Sequence, residues 1–294
     1  MKIKILHLLI PVLAVWSSFC VAQEPKTPEE AEKLIKSLKP QQGEITLSGG
    51  IAKLNVPPEF SYLNPDDTET VLTRLWRNPP ASEKSLGMLM PAKMGPLDDD
   101  SWAVIISFVD DGYVKDNDAD KIEYPKLLKQ MQDAVHEHNK ERVDKGYSPM
   151  ELLGWAEPPR YDAAAHKLYW AKELKVQGAD SNTLNYNIRI LGRRGVLVLN
   201  AISGIGQLED IKKATPQILA MVNFNEGHRY SDFDPKIDKV ATYGIAALVA
   251  GGVAAKLGFF KLAWVFILAA KKFIIIGIAG IAGLFKKLFG KKAQ

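Results

Sequence analysis

Cysteine is almost absent from this chain: among 294 residues there is one, Cys20. It stands in an opening segment that reads as removable, so the mature chain would carry no thiol. That excludes disulfides, cysteine-ligated zinc and cysteine nucleophiles together. Histidine is scarce as well, with 5 residues. His136 and His138 sit two apart on a predicted helix and point away from each other, unlike the i, i+4 pair that holds a metal. Neither a G-x-S-x-G elbow nor a G-x-x-x-x-G-K-[ST] loop is present. Ser203-Gly204-Ile205-Gly206 lies between a predicted strand and a predicted helix, yet lacks the third glycine and the lysine of a phosphate loop, and reads as a turn. No motif calls for a cofactor. Acid is missing from everything after Asp238: residues 23–239 hold 28 basic and 34 acidic side chains, whereas 240–294 hold eight lysines and no acid. A globule that is net acidic and shows no basic stripe disfavours nucleic acid as a partner.

What is there falls into three parts, 1–22, 23–239 and 240–294. Lys2 and Lys4 precede an apolar run from Ile5 to Val15, then Ser17, Ser18 and the small-residue pattern Cys20-Val21-Ala22. Charge, a short apolar stretch and an A-x-A-like end make a secretory signal, too short to span a bilayer. A lipid-anchored Cys20 is disfavoured because Phe19 stands where processing wants a small residue. From Val240 the composition becomes that of a membrane segment. Ala241 to Phe260, with Lys256 snorkelling, gives about 20 residues, the length of one crossing. Leu262 to Phe285 is more apolar but places Lys271-Lys272 at its centre, where two lysines cost ~5–7 kcal/mol against a similar return from the large apolar residues. Lys286, Lys287, Lys291 and Lys292 favour one net crossing that leaves them in the cytoplasm, with a two-helix hairpin as the alternative. Gly244, Gly251 and Gly258 recur every seven residues, and Gly277, Gly280 and Gly283 every three. Each set forms a small-residue seam suited to helix packing or self-association in lipid. The expected partner is therefore the lipid bilayer, with a protein partner or a second copy as further options.

The central part reads as α+β. Helices are predicted over Thr27 to Leu38, Asp66 to Trp76, Tyr124 to Arg142 and Gln207 to Phe224. Strands are predicted over 43–47, 51–56, 86–90, 102–109, 152–155, 166–176, 183–191 and 196–202, with Gly192-Arg193-Arg194-Gly195 at the tip of the last hairpin. Hairpin-linked strands interrupted by helices indicate a largely antiparallel sheet with packed helices, not a doubly wound parallel fold.

Two polar groupings stand out. Asp116, Asp118 and Asp120 have the alternating oxygens with which calcium loops begin, but Lys121 and Leu127 occupy the glycine and glutamate positions, so the stretch reads as a solvated turn. Asn185, Asn187 and Arg189 alternate with apolar residues on one strand and precede Arg193-Arg194. With His166 and Trp170 they form the candidate binding face, able to recognise an anionic group or a partner backbone, although any half-solvated strand alternates in this way.

Longer stretches carry a resemblance. Val56-Pro57-Pro58-Glu59-Phe60, Asn78-Pro79-Pro80 with Leu86-Gly87-Met88, His166-Lys167-Leu168-Tyr169-Trp170-Ala171-Lys172-Glu173, Leu184 through Gly195, and Asp238-Lys239-Val240-Ala241 with Tyr243-Gly244 resemble the bacterial membrane-anchored family catalogued as domain of unknown function number twenty-one sixty-seven. The resemblance implies a location, an exported domain tethered to the inner membrane of a Gram-negative cell, and it implies no reaction and no catalytic residues. The expected role is a non-enzymatic accessory or interaction module. The alternatives are a periplasmic hydrolase assembled from distant residues such as His166, Asn185 and Arg189, and an oligomer formed through the tail.

Overall fold

The structure is a computed structural model that describes residues 27–250 apart from 77, 79, 80, 82 and 83. The chain opens with α1 (Pro28–Ser37), where the Thr27 hydroxyl accepts from Glu30 N and Pro28 occupies the first turn. Strands β1 (Gly43–Thr46) and β2 (Ala52–Val56) form a hairpin through Ser48–Gly50, where Gly49 and Gly50 take the left-handed backbone that L side chains resist. Next come β3 (Phe60–Leu63) and α2 (Pro65–Glu69). The Asn64 side chain caps α2 by accepting from Asp66 N and Asp67 N, and the helix widens into a π turn over Thr70–Leu75. The remaining elements are β4 (Gly87–Pro91), β5 (Ala103–Val109), α3 (Tyr124–Asp144), β6 (Met150–Asp162), β7 (Lys167–Val176), β8 (Thr183–Leu191), β9 (Val196–Gly204), α4 (Leu208–Met221), β10 (Val222–Phe224) and α5 (Ile245–Ala250).

A seven-stranded antiparallel sheet in the order β3-β4-β5-β9-β8-β7-β6 forms the centre, and a small sheet in the order β1-β2-β10 lies beside it. The expectation of an α+β domain with an antiparallel sheet holds. Three local differences have physical causes. The predicted helix over 207–224 stops at Met221, because Val222–Phe224 pair with the free edge of β2. β3 was not expected. β6 is far longer than 152–155, because register shifts at Leu152/Gly154, Trp155/Glu157 and Glu157/Arg160 break its alternation.

Both faces of the large sheet are covered. One carries the small sheet and α4, with Leu54, Val56, Tyr62, Leu89, Val104, Tyr186, Leu197, Ile211 and Ile218 in a single buried cluster. On the other face, α1 and the α2 turn cover the β3–β5 end through Val71, Leu75, Met88 and Met90. At the opposite end of that face α3 and α5 meet Leu152, Leu168, Trp170 and Leu191 through Leu127, Met131, Ile245, Leu248 and Val249. The Met150–Leu152 end of the outer edge of β6 is closed by side chains of α3: Asn139 donates to Met150 O and accepts from Met150 N, both at 2.8 Å, and Gln132 donates to Leu152 O at 3.1 Å. These amides occupy groups that would otherwise template another strand.

The start of the expected membrane segment needs correction. Residues 241–250 belong to the globule: Ala241 N donates to Tyr113 O, Tyr243 Oη donates to Asp111 Oδ2, and Ile245 N donates to Asp118 Oδ1. Ile245 and Val249 are 0% exposed and Leu248 is 5% exposed. Gly244 was expected in a membrane seam, yet it lies against the Asp118 carboxylate, where a Cβ would collide with it. The other seam glycines, 251, 258, 277, 280 and 283, lie outside the described residues, as do the signal segment and the stretch 262–285. Among the described residues, no helix is long and apolar enough to cross a membrane.

Candidate functional site

The residues singled out in the sequence divide between two places. Trp170, Asn185, Asn187 and Arg189 gather in the middle of the sheet face between the two groups of helices. Antiparallel pairing sets cross-strand partners side by side on one face. One row reads Trp155, Lys172, Asn185, Ile202, the next Trp170, Asn187, Asn200, Ile105, and the third Leu168, Arg189, Val198, Ser107. The centre of these rows is a polar lattice set among apolar neighbours. Lys172, Asn200 and Trp155 belong to it and were missed in the sequence. Period-two alternation along β7 would have put Lys172 beside Trp170, but the bulged β6 concealed Trp155.

Within the lattice Arg189 folds back along its own strand. Its Nη1 donates to Ile188 O at 3.1 Å, Nη2 reaches Asn187 Oδ1 at 3.4 Å, and the guanidinium lies 4.8 Å from the centre of the Trp170 ring. Asn187 is 3% exposed and donates to Asn185 O at 2.9 Å. Burial pulls Arg189 down to about 10, and burial together with the charge of Arg189 brings Lys172 down to about 8. Among the described residues neither cation has an acidic partner. The indole N–H groups of Trp155 and Trp170 and the side-chain oxygen of Asn200 are buried without a hydrogen-bond partner.

His166, Arg193 and Arg194 lie elsewhere, at the end of the sheet where the β6–β7 and β8–β9 hairpins turn. The strand register sets His166 six residues from the Lys172–Asn185 row, about 20 Å along the strand. The hydrolase set of His166, Asn185 and Arg189 is therefore not brought together. His166 holds a left-handed backbone with φ 51° in the β6–β7 turn. Its ring completes a stack of four: Phe233 on Tyr113 at 3.9 Å, Tyr113 on Tyr230 at 4.4 Å, and Tyr230 on His166 at 4.0 Å. Tyr161 Oη donates to Asp116 Oδ2 at 2.7 Å, and His166 Nδ1 lies 3.4 Å from the same oxygen. Arg193 is committed to Asp238, Nε to Oδ2 at 2.7 Å, and also donates to Gly227 O. Arg194 is exposed, and its carbonyl accepts from Gly112 N.

This end of the molecule is a clasp around the chain that leads to α5. Gly112, with φ 106°, lets loop 110–118 approach so closely that a Cβ there would lie 2.7 Å from Lys239 O. The acidic loop is thus more than a solvated turn: Asp116 serves Tyr161 and His166, and Asp118 serves Ile245 N. Its oxygens face different partners, and among the described residues no group of three or more histidines, cysteines or carboxylates could hold a metal ion.

Burial raises the Asp116 carboxyl, but hydrogen bonds from Tyr161, its own backbone and His166 outweigh it and hold the group below the usual carboxylate range. A depressed folded-state pKa contributes stability that is present above the unfolded carboxylate value, near 4, and is lost as pH falls through the folded value. The Asp116→Asn variant is expected to be less stable than the native chain at pH 7, with the gap closing below about pH 4. Chemical denaturation at both pH values measures it; a gap of constant size would remove the charge from the clasp's stability.

The family described as Protein of unknown function (DUF2167) matches residues 39–282. The chain belongs to that family. The match takes in the lattice, the clasp and most of the hydrophobic tail, and the DUF2167 description carries no activity. No curated protein matches the chain. Two solved structures are similar to it at a distance. The cyanobacterial PsbP protein CyanoP of Synechocystis sp. PCC 6803 has 11% identity and a TM-score of 0.34, covering 64% of this chain and 92% of that one. The Saccharomyces cerevisiae Ran-binding protein Mog1p has 11% identity and a TM-score of 0.32, covering 67% and 100%.

Proposed function

We propose that this DUF2167 protein is a non-enzymatic accessory or interaction module, exported and held at the periplasmic face of the inner membrane by its C-terminal hydrophobic residues. The observation that carries the reading is the clasp. Carboxylates of Asp111, Asp118 and Asp238, the backbone pairing of Tyr113 with Lys239 and Ala241, and the ring stack fasten the chain to the globule up to α5. A hydrophobic tail that starts from a fastened root holds its globule at a set distance from whatever the tail enters.

Burial of Ile245, Leu248 and Val249 favours a later stretch as the anchor in this reading. A segment that covers the sheet face cannot also be surrounded by lipid. Residues 251–260 alone would make ~15 Å of helix against a hydrocarbon core of ~30 Å. We therefore assign the anchor in this reading to Leu262–Phe285, 24 residues long by the numbering, with Lys286, Lys287, Lys291 and Lys292 on the cytoplasmic side as the positive-inside rule favours.

Flotation with lipid vesicles tests the mooring. The full-length chain is expected to float with vesicles and to resist carbonate extraction, whereas a chain ended at Ala250 is expected to stay in the aqueous fractions. A full-length chain that remained aqueous would refute the mooring. Topology reporters after Lys261 and at the C-terminus should then report opposite sides.

A further inference from the structure

Lys172 and Arg189 stand on the half-buried middle of one sheet face, two cross-strand rows apart, and among the described residues neither has an acidic partner, a costly arrangement for a folded chain. Cross-strand neighbours of Lys172 are Trp155 and Asn185, and those of Arg189 are Leu168 and Val198. The 44 residues after Ala250 contain no aspartate or glutamate, so the tail that leaves from α5 brings no acidic side chain to them. Two of the unsatisfied groups in the lattice are donors only, the indole N–H groups of Trp155 and Trp170, both buried without an acceptor, and the third is the side-chain amide of Asn200, whose oxygen has no donor. Arg189 folds toward the Trp170–Asn187 row, bringing its guanidinium one row nearer Lys172 than the strand register alone would place it. Among the described residues, positive charge and indole donors on this patch thus outnumber negative charge and the one unsatisfied acceptor there, Asn200 Oδ1.

We propose that this lattice is a binding site for a compact phosphate-type dianion, taken up between Lys172 and Arg189 and bonded by the indole N–H groups of Trp155 and Trp170. The charge calls for two negative units to balance two cations. A tetrahedral oxyanion presents several acceptor oxygens to neighbouring donors at once, whereas the carboxylates of an extended dicarboxylate lie too far apart to share one patch. Asn200 adds an amide that can turn its NH₂ toward the ion. Bound phosphate would return Lys172 toward its ordinary titration range and supply the acceptors that the indoles lack. The site is independent of how the chain is moored.

The test uses the full-length chain in a neutral detergent free of phosphate, titrated with sodium phosphate and, at equal ionic strength, with sodium chloride. The indole N–H resonances of Trp155 and Trp170 are followed by NMR, assigned with single Trp→Phe variants. Phosphate is expected to shift both resonances saturably and chloride to leave them in place. Lys172→Met and Arg189→Gln are each expected to weaken the phosphate response at least tenfold. In the absence of phosphate Lys172→Met is also expected to melt at a higher temperature than the native chain, because it removes a half-buried charge that has no acidic partner among the described residues; a generally damaged fold would melt lower. Should Arg189→Gln fail to fold, Lys172→Met and the native titration decide. No saturable response in the native chain, an unchanged response in Lys172→Met, or equally tight binding of succinate would each overturn the proposal. A parallel titration with phosphatidylglycerol distinguishes the source: saturation by the lipid assigns the site to a headgroup phosphate, and saturation by inorganic phosphate alone assigns it to a free ion.

Discussion

A chain ended at Lys239 is expected to be unfolded or close to it at room temperature, whereas one ended at Ala250 should keep a cooperative transition. The shorter chain loses Ile245, Leu248 and Val249, all within the cluster that α3 makes with Leu168, Trp170 and Leu191. Fully burying an aliphatic side chain stabilises by ~1.5–3 kcal/mol, so three of them amount to ~5–9 kcal/mol, most of the ~5–15 kcal/mol by which a domain is ordinarily stable. The truncation also leaves Asp118 without Ile245 N, Asp111 without Tyr243, and Tyr113 O without Ala241 N. Urea denaturation of the two chains, followed by circular dichroism, measures the difference. Equal midpoints would mean that 240–250 contributes nothing to the fold, and the assignment of the anchor to 262–285 would fail with it.

Trp170→Ala should be the most damaging single substitution in the lattice. Trp170 is 1% exposed, touches the α3 and α5 cluster, and supports the Arg189 guanidinium on its ring. Removing a buried tryptophan side chain costs ~3–5 kcal/mol, because the cavity left behind is only partly refilled. Trp170→Phe keeps most of the packing and removes an N–H that has no acceptor in the folded chain, so its cost should be well below that of Trp170→Ala. Denaturation midpoints of the pair test this; similar losses would show that the indole N–H, not the ring volume, is what stabilises the native state.

Much of the fold was legible because local patterning and tertiary structure agree. β8 spans Thr183–Leu191 as predicted, and α3 begins at Tyr124 as predicted. The failures occur where distant residues decide the outcome. Val222–Phe224 carries a helical pattern until the edge of β2 captures it, and β6 keeps no period long enough to count. Of the candidate binding face, Trp170, Asn185, Asn187 and Arg189 do share one surface, since alternation in a strand and pairing with its neighbour follow from sequence order. His166, Arg193 and Arg194 were grouped with them only by nearness in the chain. His166 lies in the turn before β7, and Arg193 is held by a partner 45 residues away, at Asp238.

The sequence by itself determined the class of the fold, the succession of signal-like, acidic and lysine-only segments, and family membership, since each depends on composition or on neighbours along the chain. Only the tertiary structure decided that residues 241–250 belong to the globule, that the acidic loop clasps them, and that Lys172 and Arg189 share one sheet face without an acidic partner among the described residues. The physical reason is that an apolar helix buries equally well against a sheet or in lipid, so its hydropathy is the same in either. Charge balance, likewise, is settled by which side chains become neighbours in space and not by how many of each the chain contains.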